Sequence, residues 1–162
     1  MKIKRMTAIV LVAVMALSAL LLAGCGGKVV SKVHVKFVVT VDPDGNKLEE
    51  ENTIGEIDVE VEGTKSNPPT VLKAAQLALT QLSYEDGYEM TADGYSIARV
   101  SKYAEHQETD EDTGYFTYWD AYIDGSRSTD GRQSETVIYS GSELEFRFIS
   151  SSQKREDHNY VD

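Results

Sequence analysis

Two runs of alternating residues constrain this chain more than anything else in it. Val33, Val35, Phe37, Val39 and Val41 alternate with His34, Lys36, Val38 and Thr40, and Ile57, Val59 and Val61 alternate with Glu56, Asp58, Glu60 and Glu62. A period of two sends one set to a core and the other to solvent, so both runs are predicted as strands with one buried face. They are expected to pair as a hairpin with a long connection. Asp42-Pro43-Asp44-Gly45-Asn46 lies in that connection and carries turn chemistry, proline presetting one dihedral and glycine taking a positive one. Pairing sets Lys36 against the acids of the second strand on the solvated side. A helix follows, predicted over 70–82, with Pro68-Pro69 blocking an earlier start and Thr70 as its cap. Val71, Ala75, Ala78 and Leu82, flanked by Leu72 and Leu79, form an apolar stripe at helical spacing, which needs a sheet to cover. Short strand-like runs then return at 88–91, 95–101, 115–123, 136–139 and 144–149, separated by Asp93-Gly94, Asp124-Gly125 and Ser140-Gly141. This order predicts the α+β class, with the helix packed across one face of a mixed sheet.

The start of the chain has a different logic. Lys2, Lys4 and Arg5 precede an apolar run from Ala8 to Leu22, and the run closes on Leu22-Ala23-Gly24-Cys25, which holds the sole cysteine. Basic start, apolar stretch and small residues before the cysteine are the parts of a secretory signal. The set resembles the lipobox of bacterial lipoproteins. That resemblance implies that residues 1–24 are removed and that the Cys25 thiol carries a diacylglycerol, anchoring an extracytoplasmic protein to the bacterial membrane. Several acyl chains, at about 0.8 kcal/mol per buried methylene, hold such an anchor firmly. Removing 1–24 takes three basic residues from the 16 in the chain and none of the 27 acidic ones, so 13 face 27 and the formal charge becomes −14. This acid excess argues against nucleic acid or an anionic lipid surface as a partner. With Cys25 lipidated, no disulfide and no thiol nucleophile remain, and the core alone must hold the fold.

Pro69-Thr70-Val71-Leu72, Gly94-Tyr95-Ser96-Ile97-Ala98-Arg99-Val100, Tyr118-Trp119-Asp120-Ala121-Tyr122-Ile123-Asp124-Gly125 and Tyr139-Ser140-Gly141-Ser142-Glu143-Leu144-Glu145-Phe146 occur in that order. Together they are similar to the successive motifs of the transcobalamin-like C-terminal domain, a module of bacterial surface proteins and lipoproteins. The resemblance spans nearly all of 33–149 and implies a β-grasp-like mixed sheet for that domain. It implies a cobalamin-like or other planar small molecule as a ligand. The domain plan that results is a signal peptide at 1–24, a lipidated tether at 25–32, the β-grasp-like domain at 33–149 and a disordered polar tail at 150–162.

Parity divides the run 115–123 into two faces. Thr117, Trp119, Ala121 and Ile123 form the apolar set assigned to the helix side, while Phe116, Tyr118, Asp120 and Tyr122 fall on the open side. Tyrosines around an acid offer apolar area and hydroxyls together, so Tyr118, Asp120 and Tyr122 are the candidate ligand-binding residues. The plain alternative is tyrosine as a good strand former. Asp42-Pro43-Asp44-Gly45-Asn46 has the Asp-x-Asp spacing of a calcium loop, but Thr53 stands where a bidentate acid is needed, so it reads as a turn. The acidic run 105–112 reads as a solvated loop, with a weak cation site as its sharper reading. His34, His106 and His158 lie too far apart in sequence to form a metal motif, and no Gly-x-Ser-x-Gly or phosphate loop occurs. Neither a catalytic residue nor a cofactor is therefore expected. The expected function is a non-catalytic, lipid-anchored binding module, a small-molecule receptor in one version and a surface protein-interaction or adhesion module in the other.

Overall fold

The computed structural model describes residues 27–107, 115–128 and 132–152. Strands β1 (Lys28–Val41) and β2 (Lys47–Thr64) are followed by helix α1 (Val71–Leu82). Then come β3 (Tyr88–Met90), β4 (Ile97–Val100), β5 (Tyr103–Ala104), β6 (His106–Gln107), β7 (Tyr115–Ile123), β8 (Ser126–Arg127) and β9 (Glu143–Ser152). The main sheet has the order β2-β1-β9-β7-β6, with β8 also on β7, and β3-β4-β5 form a second, smaller sheet. β1 runs parallel to β9, while the pairs β1–β2, β7–β9, β6–β7 and β7–β8 are antiparallel.

The expected α+β class does not hold. Strands take 57% of the described residues and the single helix 10%, so the molecule is β-rich with mixed sheets. Two physical causes account for the difference. The helix covers only the part of the core face near β1 and β2. The part over β7 and β9 is covered by the small sheet: Ile97 and Val100 of β4 are fully buried, and the Tyr103 ring of β5 lies 5.4 Å from that of Phe148. Second, the hairpin strands run to 14 and 18 residues. The acid-rich start of β2 carries no alternation; it is tied to β1 at Lys47 and again from Asn52 onward, with residues 48–51 between the two pairings, and its charges suit a sheet edge.

The hairpin connection is therefore short. Asp42 Oδ1 accepts from the amides of Asp44 at 3.0 Å and Asn46 at 2.8 Å, closing a tight turn. Register slips between Phe37 and Val38, where Ile54 is left over opposite the pair, and again between Val39 and Val41. Below the slip the solvated face carries the ion pairs Lys28–Glu62 at 2.6 Å and Lys32–Glu60 at 2.5 Å and a hydrogen bond between His34 Nδ1 and Asp58 Oδ1 at 2.8 Å. Lys36, expected among the acids of β2, reaches Glu145 of β9 at 3.9 Å. Val38, assigned by parity to the solvated set, is buried. Strand structure also begins at Lys28 and ends at Ser152, outside the expected domain bounds of 33 and 149.

Helix α1 begins where proline and threonine place it. Thr70 Oγ1 accepts weakly from the Lys73 amide at 3.4 Å, and Ser83 ends the helix in the left-handed region, its amide bonding Leu79 O at 3.1 Å. Two of its free amides are met from the later chain, Val71 N by Thr136 O and Leu72 N by Gln133 O, each at 2.9 Å. The run 136–139, expected as a strand, serves this docking role and makes only an isolated bridge between Val137 and Thr70. At the core, Phe37 stacks on Phe146 with centroids 5.2 Å apart and meets Trp119 edge-on at 6.1 Å.

Candidate functional site

Strand β7 places its side chains as parity predicts: Thr117, Trp119 and Ala121 are buried, while Phe116, Tyr118, Asp120 and Tyr122 are half-buried on the other face. Its outer edge is interrupted. β6 pairs with Thr117 and Phe116, β8 with Tyr122 and Ile123, and between them the stretch 118–121 has no strand beside it among the described residues. The edge groups there are met singly, Ala121 O by the Ser128 amide at 2.8 Å and Trp119 O by Gln133 Nε2 at 3.4 Å. The Ala121 amide donates to Asp120 Oδ1 at 3.0 Å.

This gap in the sheet edge is a cleft of about 540 Å³. Tyr118, Asp120, Arg127 and Ser128 form one wall, and Thr91, Asp93, Tyr95 and Ser96 from the β3–β4 connection form the other. Glu105, Arg132 and the buried Gln133 complete it. The far wall is braced: Thr91 Oγ1 donates to Asp93 Oδ1 at 2.6 Å, the Tyr95 amide donates to the same oxygen at 3.1 Å, and the Thr91 amide bonds Ser96 O at 2.9 Å. Those bonds, the Thr91 hydroxyl first, hold the Asp93 carboxyl below its ordinary pKa. The Arg132 guanidinium lies 4.3 Å from the centre of the Tyr95 ring and pairs with Glu135 at 2.9 Å. Gln133 ties the walls together, its Oε1 accepting from the Ile97 amide at 3.3 Å while its Nε2 bonds β7.

Asp120 is occupied on both oxygens, Oδ1 by the Ala121 amide and Oδ2 by Arg127 Nε at 2.5 Å. Burial raises the Tyr118 phenol above its ordinary pKa, with Arg127 acting against the shift and Asp120 with it. The Glu105 carboxyl is likewise raised, by partial burial and then by the Asp93 charge. Tyrosine faces, guanidinium groups and carboxylates thus converge on one polar concavity, which suits recognition of a planar ligand bearing polar edges.

Tyr122 is separated from its two expected companions. It lines a distinct pocket of about 120 Å³ with His34, Lys36, Glu143, Glu145 and Arg147. Arg147 lies 4.9 Å from the centre of its ring, bonds Glu145 and reaches Glu51 at 3.6 Å. Arg127 was legible in principle. Asp124-Gly125, with φ of 51° and 78°, makes the two-residue turn that returns the chain on β7 and sets Arg127 opposite Tyr122, diagonal to Asp120. No sequence signal marks Arg132 or Gln133, which arrive from a segment without regular structure.

Cys25, most of the acidic run 105–112, and His158 lie outside the described residues. Among the described residues no helix is long and apolar enough to cross a membrane, and no group of three or more His, Cys, Asp or Glu could hold a metal ion. Comparison of the chain with family models, curated proteins and solved structures finds no match.

Proposed function

We propose that this protein is a lipid-anchored, extracytoplasmic, non-catalytic binding module that takes a planar small molecule into the cleft beside Tyr118 and Asp120. The observation that carries the reading is the concavity itself: a receptor needs a concave site, whereas an adhesion surface can be flat. The cleft has braced walls and places tyrosine, arginine and carboxylate groups around one volume. Among the described residues its lining contains no histidine beside Ser96 or Ser128, which favours binding over nucleophilic chemistry. The similarity of the chain's motifs to the transcobalamin-like module makes cobalamin and other corrins the first ligands to try. The anchor is read from Leu22-Ala23-Gly24-Cys25.

Calorimetry on the full chain tests the site. Tyr118→Ser is expected to weaken corrin binding at least about tenfold, one interaction of roughly 1.4 kcal/mol, while Tyr122→Ser, in a separate pocket, leaves it unchanged. Equal losses from the two would remove the cleft as the site. No binding of any corrin, with capture of a surface protein that Tyr118→Ser abolishes, would convert the reading to an interaction module. Labelling cells with an acyl precursor tests the anchor, since Cys25→Ser should abolish the label and release the protein from the membrane.

A further inference from the structure

The large apolar side chains that stand out from the surface among the described residues are Val30, 36% exposed, Val137, 37% exposed, and Tyr139, 72% exposed. Single exposed apolar residues are ordinary, but these three share one end of the molecule. The segment carrying Val137 and Tyr139 runs beside the start of β1. Ser31 Oγ donates to Ile138 O at 3.1 Å, Ser140 Oγ donates to Val30 O at 3.2 Å, and the Gly141 amide donates to Lys32 O at 2.8 Å. Ile138 is buried, which turns its neighbours Val137 and Tyr139 outward, and Val30 shares the outward parity of Lys28 and Lys32.

We propose that this end of the domain lies on the lipid bilayer, with Tyr139 in the headgroup layer and Val30 and Val137 beside it. The inference rests on the Cys25 anchor proposed above. Cys25 precedes Lys28 by three residues, and three residues reach at most roughly 10 Å, so an acylated Cys25 holds the start of β1 close to the membrane. A tyrosine beside aliphatic side chains matches the interfacial layer, where an apolar ring and a polar hydroxyl are both satisfied. Charge favours the same end. Lys28 and Lys32 are balanced by Glu62 and Glu60, Lys65 stands beside Gly27, and Lys73 donates to Asn67 Oδ1 at 2.8 Å and Pro68 O at 3.2 Å. On a chain otherwise rich in acid, lysines thus offset acids at this end.

The full lipidated chain, reconstituted in phosphatidylcholine vesicles with a minority of phosphatidylglycerol, tests the inference. Acylation consumes the sole native thiol, so a cysteine introduced by Val137→Cys, Tyr139→Cys or, at the distant turn, Asp44→Cys is the single site for a fluorescent probe. Headgroup-nitroxide lipid is expected to quench the probe at 137 and 139 several-fold more than at 44. Vesicle-bound protein whose probes at 139 and 44 are quenched alike would overturn the inference and leave the anchor standing. A probe at 139 that is shielded from water but not quenched would mean that a second copy or another protein covers the patch, which also overturns it. Protein that fails to float with the vesicles would reject the anchor and this inference together.

Discussion

Replacing Trp119 by alanine removes a side chain that is 3% exposed and serves two layers at once. Its ring meets Phe37 at 6.1 Å and Phe148 at 5.4 Å within the main-sheet core, and its Nε1 donates to Tyr103 O at 3.0 Å, tying β5 of the small sheet to β7. Large aromatic truncations in cores cost about 3–5 kcal/mol. The upper half of that range is expected here, because the Tyr103 carbonyl also loses its donor, an effect of about 1 kcal/mol. Tyr122→Ala, three residues along on the other face, removes a half-exposed ring whose main partner is Arg147 at 4.9 Å, a contact worth about 0.5–1 kcal/mol. The two substitutions should therefore differ by about 3 kcal/mol, or roughly 10 °C in melting temperature. Urea unfolding of the Cys25→Ser chain, followed by far-ultraviolet circular dichroism, measures the difference. Trp119→Phe guards against a variant too unstable to fold and should lose about 1–2 kcal/mol. A cost below about 2 kcal/mol for Trp119→Ala, or equal costs for both alanine variants, would refute the assignment of faces and the role of Trp119 between the sheets.

Gly63→Ala should destabilise by about 1–3 kcal/mol, since a Cβ there would lie 2.6 Å from Asn67 O and 2.8 Å from the Pro69 nitrogen, main-chain atoms that cannot step aside; an unchanged urea midpoint would show that the crossing over β2 is looser than described. The Asp42 carboxyl is held below its ordinary pKa of 3.8 by the Asn46 side-chain amide, then by the Asn46 backbone amide. A depressed folded pKa gives stability that is complete above the unfolded value and is lost as pH falls through the folded one, so the wild-type urea midpoint should fall below pH 3.8, and Asp42→Ala should flatten part of that fall. Identical acid profiles for the two proteins would count against the turn.

What the sequence disclosed was local. Alternation in Val33–Val41 and Glu56–Glu62 found the hairpin, Pro68-Pro69-Thr70 found the start of the helix, and parity in Tyr115–Ile123 divided that strand correctly. What escaped was set by distant partners. The polar first half of β2 is tied to β1 only at Lys47 and from Asn52 onward, and residues 136–139 look like a strand but lie against the start of the helix, Thr136 O taking the Val71 amide and Ile138 N bonding Pro69 O. The α+β expectation failed for the same reason: the runs 88–91 and 95–101 read as strands, but Tyr103–Ala104 is too short to have a period, and nothing local shows that β3, β4 and β5 form a separate sheet sharing the core face with the helix. Alternation puts Tyr118, Asp120 and Tyr122 on one face. The cleft exists because a face ends at an edge, and edges are decided by pairing with β6 and β8 rather than by composition.

Pairing also fixes how far the cleft stands from the end that carries the proposed anchor. Trp119 pairs with Phe148, which pairs with Val39, and Ala121 pairs with Phe146, which pairs with Phe37. The cleft is therefore level with the part of β1 that lies nine to eleven residues beyond Lys28. At about 3.3 Å per residue this is roughly 30 Å along the strand from Lys28. With the strand upright on the proposed anchor, a site at that height would open to solution rather than to lipid, and the proposed ligand would be one that arrives dissolved. The polar lining agrees: Arg127, Arg132, Asp93 and Glu105 would each lose hydration without return against an acyl chain, but all can bond the polar edge of a soluble planar molecule.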